Sequence, residues 1–211
     1  PVGYLQRLRD ICTKNNILLI FDEVITGFGR CGAMTGADAF GVVPDILNVA
    51  KQITNGAIPM GAVIASGEIY NSFMNQDLPE HLLEFPHGYT YSAHPVACAA
   101  ALATLNLLES EELPQRVAAK APVLEEHVHA LRDKPNVLDI RNHGFAAGIT
   151  LAAKDGDPTL RPFEVCMRMW DKGFYARYGG DTVQLGLPFV TSDSEIEQIC
   201  AALGESLLES A

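Results

Sequence analysis

The chain lacks any apolar run of the 18–20 or so residues that a membrane-spanning helix needs. Its longest candidate, Pro95 to Leu108, is interrupted by Thr104 and Asn106 and is expected to be a buried helix. Basic runs are missing too: 15 Lys and Arg stand against 26 Asp and Glu, a formal net charge of −11. Such a surface repels phosphate backbones and anionic lipid, so neither nucleic acid nor a membrane is expected as a partner. The five cysteines (Cys12, Cys31, Cys98, Cys166 and Cys200) contain no Cys-x-x-Cys pair and are odd in number. They are expected to be reduced thiols packed as small apolar residues, in a cytoplasmic setting. The six histidines suggest no ligand set, and His127 and His129, two apart on a helical stretch, point away from each other. No metal site is expected.

What is present belongs to a folded protein: 211 residues, 48% apolar and 19% charged, with no repeats or low-complexity segments. The first residue is Pro1 rather than methionine, and Tyr4 to Asn15 already has the pattern of an amphipathic helix leading into a strand. That start suggests a fragment or a processed product. Three wholly apolar runs, Ile17 to Phe21, Ile46 to Ala50 and Ala62 to Ala65, are separated by glycine-rich turns. Runs of this kind predict central strands covered on both faces, in an α/β sheet that is mostly parallel. Three strands are few for such a sheet, and an open edge asks for a partner segment. Pro95 opens a helix at the position where proline is best tolerated. A second helical pattern covers Pro114 to Lys134, and Pro122 should kink or divide it.

From about Asn136 the texture changes to short alternating strands, Val137 to Arg141 and Phe145 to Leu151, before a helix near Arg161 to Lys172. Phe174 to Tyr178 and Val183 to Leu187 flank Gly179-Gly180-Asp181-Thr182, a predicted hairpin turn. A capping box, Ser192 with Glu195, then opens a last helix with Ile196, Ile199, Leu203 and Leu207 on one face. Residues 1–110 are thus expected to form part of a larger α/β domain, and residues 111–211 a small α+β domain.

Lys51 directly follows the apolar run ending at Ala50. A lysine there can snorkel to the surface, or it can be desolvated, which lowers its pKa and favours Schiff-base chemistry. Asp22 also ends a strand, and an extended Asp22-Glu23-Val24 would put Asp22 and Val24 on one side and Glu23 on the other. A carboxylate in that place can pair with a protonated pyridine nitrogen, with Val24 as apolar surface beneath the ring. The alternative for Asp22 is a helix cap or a solvated loop.

Three segments share a resemblance. FDEVITGFGRCG (Phe21 to Gly32), PDILNVAKQITNGAIPMGAV (Pro44 to Val63) and HGYTYSAHPVACAAAL (His87 to Leu102) are similar to the signature of the class III, fold-type-I aminotransferases that use pyridoxal 5'-phosphate. Lys51 follows Asp22 by 29 positions and Thr90 follows Lys51 by 39, as in that family. The chain is most like the C-terminal half of the ω-amino acid–pyruvate (β-alanine–pyruvate) group. The resemblance implies that Lys51 is the Schiff-base lysine and moves the proton, that Asp22 binds the pyridine nitrogen, and that Val24 packs on the ring. It further implies that Thr90 contacts the cofactor phosphate from the neighbouring subunit of a homodimer or larger homo-oligomer. Arg177, 126 positions after Lys51 and on a face with Tyr175, falls where these enzymes bind a substrate carboxylate. Arg30 and Arg141 lack such context and are taken as structural.

Two departures bear on specificity. Cys31 stands where relatives usually carry Thr or Ser, and Leu187-Pro188-Phe189 differs from the corresponding stretch of the ω-amino acid group. The implied activity is ping-pong transfer of an amino group from an ω-amino acid such as β-alanine to a keto-acid acceptor, pyruvate. Two alternatives stay open: another class III enzyme, of acetylornithine, 4-aminobutyrate or semialdehyde type, and a truncated chain without catalysis. The N-terminal half that the family carries would be a needed partner, and the 211 residues alone are expected to be inactive.

Overall fold

The computed structural model describes residues 1–210. In chain order the elements are α1 (Tyr4–Lys14), β1 (Ile20–Asp22), α2 (Gly36–Phe40), β2 (Ile46–Ala50), a 3-10 turn (Lys51–Thr54), β3 (Gly61–Ala65), α3 (Gly67–Met74), α4 (Pro95–Ser110) and α5 (Leu113–His129). There follow β4 (Val137–His143), β5 (Ala146–Leu151), α6 (Leu160–Asp171), β6 (Arg177–Gly179), β7 (Thr182–Gly186) and α7 (Asp193–Glu209). The chain divides into two compact units: Pro1–Phe28 with Ala33–Glu112, and Gly29–Gly32 with everything from Leu113 onward.

The first unit holds a three-stranded sheet in the order β1-β2-β3. β1 runs parallel to β2, pairing Ile20 with Ile46 and Asp22 with Asn48. β3 returns antiparallel, pairing Val63 with Asn48 and Gly61 with Ala50. Among the described residues the sheet is therefore mixed, against the mostly parallel expectation. β1 is also shorter than the apolar run predicts, because of where its first amides bond. The Ile17 amide closes α1 by donating to Cys12 O at 2.9 Å, and the Leu19 amide is taken by the Asp45 carboxylate at 2.6 Å. Those donors are spent before the ladder starts.

The strands are not covered on both faces either. Paired residues project to the same side of a sheet, so Ile20, Asp22, Asn48 and Val63 share one face, on which Ile20 is 53% and Val63 70% exposed. The other face carries Val49 and Leu19, both buried. α4 shows the same asymmetry: Ala97, Ala101, Thr104 and Leu108 are buried, whereas Val96, Leu102 and Leu107 are exposed. It is a half-covered helix rather than the buried one expected.

The second unit is a four-stranded antiparallel sheet in the order β4-β5-β7-β6, with α5, α6 and α7. β6 and β7 form the predicted hairpin around Gly180 and Asp181. Ile149, Leu151, Val183 and Leu185 alternate inward and are buried, as are Phe145, Val117, Leu124, Met169, Ile196, Leu203 and Leu207 of the same unit. The α7 capping box is present, with the Glu195 amide donating to Ser192 Oγ and Glu195 accepting from the Ser192 amide. Pro122 does not divide α5. It lies on the exposed side, while Val117, Leu124 and Val128 pin the opposite face.

Candidate active site

At the C-terminal end of the first sheet two neighbouring parallel strands finish with opposite charges. Asp22 is the last residue of β1, opposite Asn48, and Lys51, three residues beyond Asn48, directly follows β2. One strand spacing and three residues of extended chain put their Cα atoms roughly 11 Å apart. Both side chains are exposed, and neither joins an ion pair among the described residues. The reading of Lys51 as desolvated does not hold for this chain by itself; its ammonium faces solvent.

Lys51 is nonetheless held in an unusual backbone. Its φ is 48°, in the left-handed region that non-glycine residues rarely adopt. Such strain persists only when neighbours over-determine it. Here the Lys51 carbonyl accepts from the Gly56 amide at 3.2 Å, Ile53 and Thr54 are buried just after it, and Thr54 Oγ1 donates to Ile58 O at 2.6 Å. α4 packs against this 3-10 turn. The lysine is therefore mounted on a fixed corner rather than on a free loop.

Asp22 is oriented by a turn, not by strand alternation. β1 stops at Asp22, and the Val24 amide donates to Asp22 Oδ1 at 3.1 Å, an Asx-type turn. That turn, rather than an extended Asp-Glu-Val, brings Val24 beside the carboxylate. Glu23 goes to the opposite side and is buried, with its carboxylate accepting three hydrogen bonds. Nothing in the residue pattern alone marked Glu23 as more than a strand-end acid. A usable signal was the downstream Thr35-Gly36-Ala37-Asp38, which starts a helix with free amides.

Thr90 lies in an exposed turn just before α4. Its neighbours Tyr89 and Tyr91 line a cleft of about 650 Å3 together with Ile58 to Gly61, the segment joining the Lys51 turn to β3. The residues flanking Thr90 and the segment that follows the Lys51 turn thus border the same cavity, whereas Thr90 and Lys51 themselves do not line it. Arg177 belongs to the second unit. It opens β6, pairs in register with Gln184, is exposed, and forms no ion pair among the described residues. With Phe163, Met167, Trp170 and Tyr175 it borders a cleft of about 380 Å3.

The other arginines are structural. Arg30 donates to the carbonyls of Phe145 (3.1 Å) and Leu187, and its guanidinium lies 4.7 Å from the centre of the Phe189 ring. Burial lowers its pKa, with Cys31 acting in the opposite sense. Arg141 lies across the exposed sheet surface, donating to Thr150 Oγ1 at 2.7 Å and Thr182 Oγ1 at 3.3 Å. Arg161, not anticipated, is buried and donates to Ala152 O at 3.0 Å and Ser210 O at 2.5 Å.

The donor set fits pyridoxal phosphate: an unpaired primary amine and an unpaired carboxylate at adjacent strand tips, one on a fixed corner and the other held by a backbone amide. Comparison with known proteins points the same way. Residues 1–207 match the family described as aminotransferase class III. The chain is 61% identical to the β-alanine–pyruvate aminotransferase of Pseudomonas aeruginosa, over 98% of this chain and 46% of that protein. It is 59% identical to the ω-amino acid–pyruvate aminotransferase of Pseudomonas putida, again over 98% and 46%. Among solved structures, an (S)-enantioselective ω-transaminase from Thermomicrobium roseum superposes with a TM-score of 0.90 at 33% identity, covering 100% of this chain and 47% of that one. The chain spans about half the length of the curated relatives it matches.

Proposed function

Starting from the fact that the chain belongs to the class III aminotransferases, we propose that it carries the lysine-bearing end of a transaminase that moves an amino group from an ω-amino acid, such as β-alanine, to pyruvate. The observation that carries this reading is that Lys51 and Asp22, neither in an ion pair among the described residues, stand at the ends of adjacent parallel strands. The names of the P. aeruginosa and P. putida relatives support the substrate class.

Pyridoxal phosphate, when bound, supplies a carbonyl that takes up amines and a pyridinium ring that accepts an electron pair. The chain's residues do the rest. Asp22 keeps the ring nitrogen protonated, since an adjacent carboxylate favours the cationic form. Val24, fixed beside it, offers an apolar surface. Lys51 Nζ would hold the cofactor and, once the donor's amine has displaced it, would take a proton from the amine-bearing carbon of the donor. In the full enzyme that step needs Lys51 desolvated by further protein, and the bare sheet face beside Asp22 is a surface such protein would cover. Arg177, with no acidic partner among the described residues, binds the carboxylate of the keto acid through a planar guanidinium fork. Thr90 serves the phosphate of a second subunit's cofactor in a homodimer or larger assembly. None of the five cysteines is in a disulfide, which favours a reducing compartment such as the cytoplasm.

The test joins the N-terminal portion of the P. aeruginosa relative to this chain and supplies pyridoxal phosphate, β-alanine and pyruvate. Formation of alanine and a cofactor absorbance band that Lys51→Ala abolishes are expected. A band that survives Lys51→Ala would refute the assignment. Faster turnover with acetylornithine or 4-aminobutyrate than with β-alanine would move the protein to another class III group.

A further inference from the structure

Next to Asp22 stands a carboxylate that the proposed chemistry does not use. Glu23 is 2% exposed. Its Oε2 accepts from Thr26 Oγ1 at 2.6 Å and from the Gly36 amide at 2.8 Å, and its Oε1 accepts from the Ala37 amide at 2.7 Å. Its own amide donates to Asn48 O at 2.8 Å, and its carbonyl accepts from the Gly27 amide at 2.9 Å. Every polar group of this residue is engaged, as a buried acid requires. The surroundings are shaped to it as well. A Cβ at Gly36 would lie 3.0 Å from Oε2, and a Cβ at Gly27 would lie 2.8 Å from the Glu23 carbonyl oxygen.

The consequence falls on Asp22. In a planar trans peptide the C=O and the following N–H point in opposite directions. The Glu23 carbonyl is fixed on Gly27, so the Val24 amide of the same peptide plane must point the other way, to Asp22 Oδ1 at 3.1 Å. The buried side chain anchors that plane, because it bonds residues 13 and 14 positions downstream and closes the intervening loop.

We propose that Glu23 is a positioning residue: by tying Thr26 and the first amides of α2 to the end of β1, it sets the peptide whose N–H aims the Asp22 carboxylate at the cofactor's ring nitrogen. This rests on the role given to Asp22 above. Glu23 touches neither cofactor nor substrate. Its effect passes through the Glu23–Val24 peptide, and a glutamine would present an NH2 group to a site where two of the three partners are backbone N–H donors.

The experiment uses the same full-length chimaera loaded with pyridoxal phosphate 15N-labelled in the ring, and reads the ring-nitrogen resonance and the cofactor dissociation constant. Glu23→Gln should move the resonance toward the position found in Asp22→Asn and weaken cofactor binding by about tenfold. The double variant should bind no more than about twofold worse than Asp22→Asn alone, because residues acting as one unit are non-additive. Should Glu23→Gln fail to fold, Thr26→Val, which removes one of the three bonds, carries the test with a smaller shift in the same direction. A resonance moved by Asp22→Asn but untouched by Glu23→Gln or Thr26→Val, or a double variant with the two losses multiplied, overturns the proposal alone. A resonance unmoved by Asp22→Asn overturns the role of Asp22, and the proposal with it.

Discussion

The two units treat their apolar surface in opposite ways. In the second, strands β5 and β7 send every inward residue into a core closed by three helices, and Phe145, Ile149, Met169 and Leu203 have no measurable exposure. In the first, Ile17, Leu18, Ile20, Val63 and Ile64 are all exposed around a three-stranded sheet. Yet Lys51, Asp22, Val24 and Thr90 are all on the first. The unit that carries the proposed cofactor residues is the one with less core of its own, so their placement depends on hydrogen-bonded ties: the strained Lys51 corner, the Asx turn and the buried Glu23. The second unit can hold its shape by packing alone, and Arg177 stands at the edge of a well-supported sheet.

The sharpest way to break this comparison is to remove one side chain from each unit. Phe145→Ala should cost about 3–5 kcal/mol in urea unfolding of the second unit, through lost burial and the cavity left behind. Ile20→Ala, already half in solvent, should cost less than about 1 kcal/mol. Equal losses would mean the first sheet is better covered than its exposure indicates.

A smaller effect should come with pH, and on the alkaline side it falls on two thiols of the second unit. Burial pushes the thiols of Cys166 and Cys200 up to about 11. The folded state keeps protons that the unfolded thiols release, so this contribution is whole below the ordinary thiol range and is lost as pH rises toward about 11. Thermal unfolding followed between pH 8 and 11 (roughly the window set by the free-thiol value) should show the decline. A thiol reagent near neutral pH should label neither cysteine before unfolding. On the acid side the first unit has its own dependence. The Asp45 carboxyl is held low, chiefly by the Leu19 amide and then by Arg9, so its contribution disappears as pH falls through that lowered value. The smallest change is at a cap: Ser192→Ala should remove about 1 kcal/mol from α7, read as a lower urea midpoint.

Much of this was legible from residues in order. The Ser192/Glu195 box, the inward face of α7, the β6–β7 hairpin and the strand Ile46–Ala50 depend on neighbours within a few positions, so composition and period reveal them. The failures have a common cause. Ile17 and Leu18 have the pattern of a strand but are drawn out of the ladder by the end of α1 and by Asp45, 26 residues away from Leu19. Pro95–Leu108 looks buried because apolar residues surround it, whereas only one of its faces meets protein. Pro122 fails to break α5 because the buried stripe holds the helix together on the opposite side.

The sequence by itself determined where the amine and the carboxylate fall relative to strand ends, and which family those motifs belong to, because both are set by spacing along the chain. Only the tertiary structure decided that Asp22 pairs with Asn48, three residues short of Lys51, and that Val24 reaches Asp22 through a turn. It also decided that Glu23 is a buried anchor and that Arg30 is a clamp, since their partners lie 13 to 157 residues away. Hydrogen-bond partners at that separation are chosen by how strands and helices come together, and no local pattern of residues encodes them.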